Sequence, residues 1–364
     1  MKFSTDYKDI LAQIDAVDPV NYGKTRNFAD GAVTRLSPYI SRGVISTKIV
    51  FDKILAKGYK HWEITKFIQE LAWRDYWQQV WIAKGNDIDH DLKREQPEVG
   101  NYMMPTALVD ASTGIEAVDY NINELYNVGF LHNHMRMYVA AIACNIGKSH
   151  WKVPARWMYY HLLDGDWASN ALSWQWVAGA NANKKYIANQ ENINKYFHSS
   201  QRGTFLDTTY EAIPEIDIPD VLNDTVIPEL STQLPESSLK ELNPSHPTLI
   251  YNYYNLDPEW HKDEEANRVL LLEPSHFDKY PVSENCINFV LKLAANIEGI
   301  SVYVGEFSDL VSEFDVRDVI YKEHPTNEPY RGHIESRDWM FNVTGYFPSF
   351  FGFWKKYEKQ LKGK

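Results

Sequence analysis

The sequence predicts an α plus α/β protein, with an all-helical domain over residues 1–212 followed by a small parallel α/β domain over 248–364. Two patterns and the break between them carry this reading. Apolar residues recur at helical spacing across 47–84, 115–146 and 154–177, without the period-two alternation of strands. Between 213 and 247 lie six of the 17 prolines, set among acids, Ser and Asn, which is the composition of an extended linker. Beyond it the pattern changes to strand-like runs at 248–254, 268–273, 300–306 and 318–322, with a helical stretch at 284–297. Strands alternating with helices indicate a parallel sheet. At 364 residues the chain also exceeds what one core usually holds. It closes on an aromatic and basic tail.

Charge and tryptophan are distributed as unevenly as the elements. Residues 1–200 hold 22 Lys and Arg against 21 Asp and Glu, whereas the remainder holds 15 against 28, so the acidic overall balance belongs to the second half. Only the first half is suited to a polyanionic partner. Nine of the 12 tryptophans precede residue 200. The two cysteines, Cys144 and Cys286, lack the number and spacing for a disulfide framework, a zinc site or an iron–sulfur cluster and read as core residues. No metal is expected. The first residues lack an apolar signal region, and no stretch approaches the roughly eighteen apolar residues of a membrane helix. The expectation is a cytoplasmic protein without a membrane partner.

Four segments of the first half carry chemistry. Taken as one helix, 164–176 stacks Asp164, Asp166, Asn170 and Trp174 along one side, offering carboxylates, an amide and an indole to a buried ring. An amphipathic core helix rich in Trp has the same wording. In Thr34-Arg35-Leu36-Ser37-Pro38, hydroxyls precede a proline that can begin a helix, so side chains and backbone N–H groups are placed for phosphate oxygens, as they also are in an ordinary N-cap. On 67–77, Phe67, Glu70, Arg74 and Trp77 share a stripe with Trp73 beside it, a set that grips a flat heteroaromatic ring or simply forms an ion pair on an aromatic face. On 132–137, Asn133, Arg136 and Met137 share a face, and Arg136 can neutralise Asp164 or Asp166; His132 and His134, two apart, point in different directions and are no metal motif.

Together these residues resemble the cryptochrome/photolyase family, in its helical FAD-binding domain. The resemblance runs from Tyr22 to Phe197 through Tyr22 and Arg26, Leu-Ser-Pro-Tyr, Glu-Leu-x-Trp-Arg-Asp-Tyr, Thr-Gly-x-x-x-Val-Asp, His-Asn-x-x-Arg-Met and Asp-Gly-Asp with Asn170 and Trp-Gln-Trp, in the family's order. It implies FAD held by Tyr22, Thr34, Arg35, Leu36, Ser37, Phe67, Arg74, Arg136, Asp164, Asp166 and Asn170, with Asn170 facing flavin N5. It implies an electron relay through Trp174 and Trp151. Where the family's distal tryptophan is expected, at 97–102, there is none, and Tyr102 is the aromatic residue present.

The resemblance also implies a lesion pocket. Photolyases acting on cyclobutane pyrimidine dimers use a Glu, two flanking Trp, an Asn and a Met, matched by Glu70, Trp73, Trp176, Asn133 and Met137; the (6-4) enzymes place His at the last two. A dimer flipped from UV-damaged DNA would stack between Trp73 and Trp176 while Glu70 binds its polar edge, and reduced FAD would supply the electron. Arg26, Arg42, Lys184 and Lys185 are expected at DNA phosphates. The implied function is light-driven DNA repair by a deoxyribodipyrimidine photolyase. The alternative is a cryptochrome-type blue-light photoreceptor signalling through a protein partner. Two departures stand out: the α/β segment follows the FAD domain where relatives carry it ahead, as if permuted, and Asn-Ala-Asn-Lys-Lys-Tyr replaces the family's usual wording near the cofactor.

Overall fold

The computed structural model describes residues 3–361. The sequence-based ranges also cover residues 1, 2 and 362–364, which lie outside the described residues. The helices are α1 Tyr7–Asp15, α2 Pro19–Thr25, α3 Ser37–Ser41, α4 Thr47–Ala56, α5 Thr65–Lys84, α6 Thr106–Val109, α7 Glu116–Val128 and α8 Asn133–Ala141. They continue as α9 Lys152–His161, α10 Trp167–Ala178, α11 Gln190–Phe197, α12 Pro274–Lys279, α13 Glu284–Ala294, α14 Phe307–Glu313 and α15 Phe350–Leu361. The strands are β1 Met104–Pro105, β2 Thr225–Val226, β3 Thr248–Tyr251, β4 Asn267–Leu272, β5 Ile300–Val304, β6 Val319–Lys322 and β7 His333–Glu335. Helices in the first half and a parallel α/β sheet in the second are thus the observed fold class.

The chain forms two compact units that are not contiguous in sequence. One, the helical unit, comprises residues 18–33 and 84–230; the other, the mixed unit, comprises 3–17, 34–83 and 231–361. This corrects the contiguous division into 1–212, 213–247 and 248–364, because α3, α4 and α5 cluster with the sheet that follows them in sequence. The proline-rich segment is likewise structured. Its β2 pairs antiparallel with β1. Further on, the backbone N–H groups of Ser238 and Leu239 donate to Val302 O, while the Ser237 and Ser238 hydroxyls accept from Val304 N and Val302 N. That blunts the open edge of β5, which would otherwise invite pairing with another chain.

In the helical unit, α10 is the centre. Trp167, Ala168, Asn170, Ala171, Leu172, Trp174, Gln175, Val177 and Ala178 are all buried, which leaves almost no outer face, and a helix apolar all round lies inside its domain. The alanines let α8 and α9 approach it closely. Asp166 caps its start, accepting from Ser169 N at 2.8 Å, and Gly179 at φ +86° ends it in a left-handed turn. This corrects the reading of 164–176 as one helix: Asp164 lies in the preceding turn, and only Asn170 and Trp174 of the set are helical.

In the mixed unit the five strands run parallel in the order β5-β4-β3-β6-β7. Chain order thus reverses direction at β3, as in doubly wound folds. Strand β3 is buried at all four positions, as a central parallel strand must be. Ile250, Val269, Leu271, Phe307, Leu310, Tyr321 and Tyr330 form one apolar cluster around it. Strand β7 and helix α15 escaped the sequence reading.

A buried carboxylate ties α4, α5 and the C-terminal segment together. Asp75 accepts from Thr47 Oγ1 at 2.8 Å, Met340 N at 3.1 Å and Tyr357 Oη at 2.6 Å. Burial pushes its carboxyl up, and these three hydrogen bonds pull it back down. Replacing Asp75 by Ala strands three buried donors and should cost about 2–4 kcal/mol. Urea unfolding measures this, and an unchanged midpoint would show that the carboxylate is no such tie.

Candidate functional site

The residues expected around one flavin fall on both units, and each set has its own geometry. In the helical unit, Arg136 Nη2 donates to both oxygens of Asp164 at 2.9 Å, and its Nε donates to Leu131 O at 2.8 Å. The Asp164 side chain is 2% exposed and that of Arg136 22%. A carboxylate so withdrawn from water needs its cation, so of the two acids considered for Arg136 the partner is Asp164. Asp166 serves the helix cap instead. Asn170 is buried and donates through Nδ2 to Ala155 O at 2.7 Å, which fixes which way its amide faces. Tyr22 and Arg26 sit half-buried on and just after α2, with Arg26 Nη1 on Gly23 O.

The tryptophans of this unit sort by burial. Trp151 and Trp174 are buried, the first completely, whereas Trp176 is 41% exposed. Trp167 Nε1 donates to Asp89 Oδ1 and Trp151 Nε1 to Asp91 Oδ1, both at 2.6 Å. Gln175, fully buried, holds the segment that carries those acids: Nε2 donates to Ile88 O at 2.9 Å and Oε1 accepts from Leu92 N at 3.0 Å. Asp89, Asp91 and Gln175 were missed in the sequence reading. The alternation of Asp87, Asp89 and Asp91 was the available signal. Asn133 is exposed and Met137 half-buried on α8.

In the mixed unit, α3 begins without a side-chain cap at Leu36, and the Thr34 hydroxyl accepts from Leu36 N at 3.4 Å. Arg35 before it holds φ +55°, a left-handed conformation that a non-glycine residue adopts at a cost. Leu36 and Phe67 are both buried. On α5, Glu70 and Trp73 are half-buried, and Arg74 Nη1 donates to Ser41 Oγ at 2.8 Å. One face of Trp73 is already covered: Phe350 of α15 stacks on it with centroids 3.8 Å apart and planes 9° from parallel.

Two of the expected phosphate contacts need correction. Arg42 is fully buried, its guanidinium 3.6 Å above the Tyr253 ring. Gly43 explains the placement: at φ +63° it packs against the backbone of Tyr254 where a side chain would not fit, bringing its neighbour onto the loop after β3. Arg42 therefore cannot reach DNA. Lys185 is held by Glu98 at 2.8 Å, which also takes Lys148 at 2.7 Å. Lys184 is exposed.

In the helical unit, the buried Arg136–Asp164 pair and the buried Asn170 amide form a polar set of the kind that suits the ring edge of a flavin. Residues 67–215, less than half of the chain, match the family described as FAD binding domain of DNA photolyase, and the cofactor this match gives is FAD. The deoxyribodipyrimidine photo-lyase of Alkalihalophilus pseudofirmus is 30% identical over 208 residues, 55% of this chain and 42% of its own length. Cryptochrome DASH of Danio rerio is 30% identical over 195 residues, 50% of this chain and 35% of its own. Among solved structures, a Synechocystis cryptochrome matches 54% of this chain and 44% of its own at 23% identity, with a TM-score of 0.47. The chain thus spans well under half the length of these curated relatives. Among the described residues no helix is long and apolar enough to cross a membrane.

Two expectations follow from the geometry. Asp164→Ala removes the counter-charge of Arg136 and should lower the FAD content of purified protein severely; full occupancy, read from the flavin absorbance, would displace the flavin from this pair. Glu98 is held down at about 2, from an ordinary 4.5, first by its hydrogen bond to Lys148 and then by Lys185. A lowered carboxyl contributes stability that is complete above the ordinary value and lost as pH falls toward the lowered one. The stability difference between parent and Glu98→Gln should therefore be constant above pH 4.5, shrink toward pH 2, and be reduced by salt, since the carboxylate is mostly exposed. A difference that grows on acidification would contradict this assignment.

Proposed function

We propose that this protein is a light-driven DNA-repair flavoprotein that splits cyclobutane pyrimidine dimers. The observation that carries the reading is the exposure of Trp176 at 41% on a helix buried on nearly every other side. An indole left at the surface of so apolar a helix is a stacking platform, and a base flipped from a duplex is a flat partner for it. In the same unit as Trp176, Asn133 and Met137 on α8 supply an amide and a thioether; in the mixed unit, Glu70 and Trp73 on α5 supply a carboxylate and an indole, the further groups a dimer requires. Reduced FAD, photoexcited, supplies the electron. The chain's own part is to exclude water, to hold the dimer by stacking, and to place Glu70 where charge develops on the dimer carbonyl.

A signalling photoreceptor is the second reading, and one contact favours it. Phe350 occupies a face of Trp73 that a dimer would need. The helix α15 would then be the element through which a protein partner senses the flavin.

Repair per absorbed photon on an oligonucleotide carrying one dimer, at equal FAD loading, separates the two. Glu70→Gln should lower the yield with flavin content and melting temperature nearly unchanged. Phe350→Ala should raise dimer affinity if the stack is a gate. Absence of repair in the parent and in Phe350→Ala, both fully reduced, would transfer the assignment to the photoreceptor.

A further inference from the structure

Apart from the residues expected at the flavin, the mixed unit holds a cavity of about 460 Å³ that opens to solvent. Its volume is that of a small-molecule site. Glu323, directly after β6, and Ser336, directly after β7, both line it. The cavity therefore lies outside the carboxyl ends of two parallel strands, where open α/β sheets bind their ligands. One wall is an indole held in place. Trp339 Nε1 donates to Glu323 Oε1 at 2.8 Å, Arg337 N donates to the same oxygen at 3.0 Å, and the Arg337 guanidinium lies 5.1 Å over the ring. Phe341 and the exposed Ile82 extend this apolar surface.

The polar groups come from α4, α5 and the segment after β7. Gln79 is 4% exposed; its Oε1 accepts from Gly345 N at 2.8 Å, and its Nε2 meets no acceptor among the described residues. A buried amide donor left over at the wall of a cavity calls for an acceptor from a ligand. Lys48 stands on the neighbouring turn, because Thr47 Oγ1 donates to Asp75 Oδ1 at 2.8 Å and Gln79 lies one turn beyond Asp75 on α5. Asp338 joins them: its Oδ2 accepts from the hydroxyl of Ser46, the N-cap of α4. The hydrogen bond to Asp52 holds the Lys48 amine above its ordinary range, and the Asp338 carboxylate adds to this. Two donors suited to a carboxylate thus adjoin an acid suited to a cation. The charges of the lining, Lys48 and Arg337 against Glu323 and Asp338, cancel. A polyanion is repelled as much as it is attracted, whereas a zwitterion is satisfied at both ends.

We propose that this cavity binds a free α-amino acid with a large apolar side chain. The ligand's carboxylate accepts from Lys48 Nζ and Gln79 Nε2, its ammonium donates to Asp338, and its side chain packs on Trp339 and Ile82. The fixed amide of Gln79 argues against a nucleobase, since reading a base edge with an amide takes both of its ends and Oε1 is already held by Gly345 N. Lys48 and Gln79 belong to α4 and α5, Asp338 and Trp339 to the segment after β7. An occupant therefore joins elements that Asp75 already ties, and binding raises the stability of the folded unit by mass action. The inference goes beyond the flavin reading and does not depend on it.

The test titrates the full chain, loaded with FAD, by calorimetry with L-phenylalanine and with two analogues: L-phenylalaninamide, which lacks the carboxylate, and N-acetyl-L-phenylalanine, which lacks the ammonium. L-phenylalanine should bind at a single site and raise the melting temperature, and each analogue should bind about tenfold more weakly, as the loss of a charged hydrogen bond implies. Lys48→Gln should weaken L-phenylalanine by a similar factor and leave L-phenylalaninamide unchanged. Asp338→Asn should weaken L-phenylalanine and leave the N-acetyl compound unchanged. Trp339→Leu should weaken all three. Without ligand, the two charge variants should keep the parental melting temperature and flavin content, which shows that the fold is intact. Parental affinity for L-phenylalanine in both charge variants would place the ligand elsewhere. No heat from L-phenylalanine, L-tryptophan or L-leucine overturns the amino-acid site, and binding of adenosine in their place assigns the cavity to a neutral heterocycle and overturns the ligand class.

Discussion

Asp75 sets the orientation of α5 on which the rest of the mixed unit depends. A helix of twenty residues has several faces that could be turned inward, and α5 is aromatic on more than one of them. A buried carboxylate with three donors from three other segments admits one rotation only, because any other would leave a charge in apolar surroundings. Once Asp75 points inward, Glu70 and Trp73 are left half-buried on the other flank, where a ligand can reach them. The same carboxylate fixes α15 through Tyr357, and α15 carries Phe350 onto Trp73. The stability of the unit and the accessibility of its indole are therefore set by a common residue.

In the helical unit the corresponding constraint is the polar lining of an otherwise apolar helix. Gln175 has no exposure and spends both ends of its amide on the backbone at Ile88 and Leu92. This brings Asp89 and Asp91 to the indole N–H groups of Trp167 and Trp151. Each buried indole then has an acceptor, as a buried N–H requires.

The helices and strands were legible because periodicity records which side of an element is buried, and the parallel sheet followed from its order along the chain. Asn170 and Trp174 were legible as a pair because they share a helix, whereas Arg136 and Asp164, 28 residues apart, were joined by opposite charge. What escaped depends on tertiary neighbours. Arg42 has the sequence of a surface cation but packs over Tyr253, a contact between segments more than two hundred residues apart. Lys185 shares the single carboxylate of Glu98 with Lys148. Strand β7 is three residues long, too short to show alternation. The grouping of 34–83 with the sheet arises from long-range packing, which local composition does not encode.

Trp174 and Trp176 carry the last step of this reasoning. Residues two apart on a helix point in nearly opposite directions. With Gln175 between them anchored to the interior, one indole must face inward and the other outward, as their burial shows. Helix α10 thereby divides its tryptophans into an inner group sealed from water and an outer one offered to a partner. A single turn of helix separates the two environments, so a change at position 175 would disturb both.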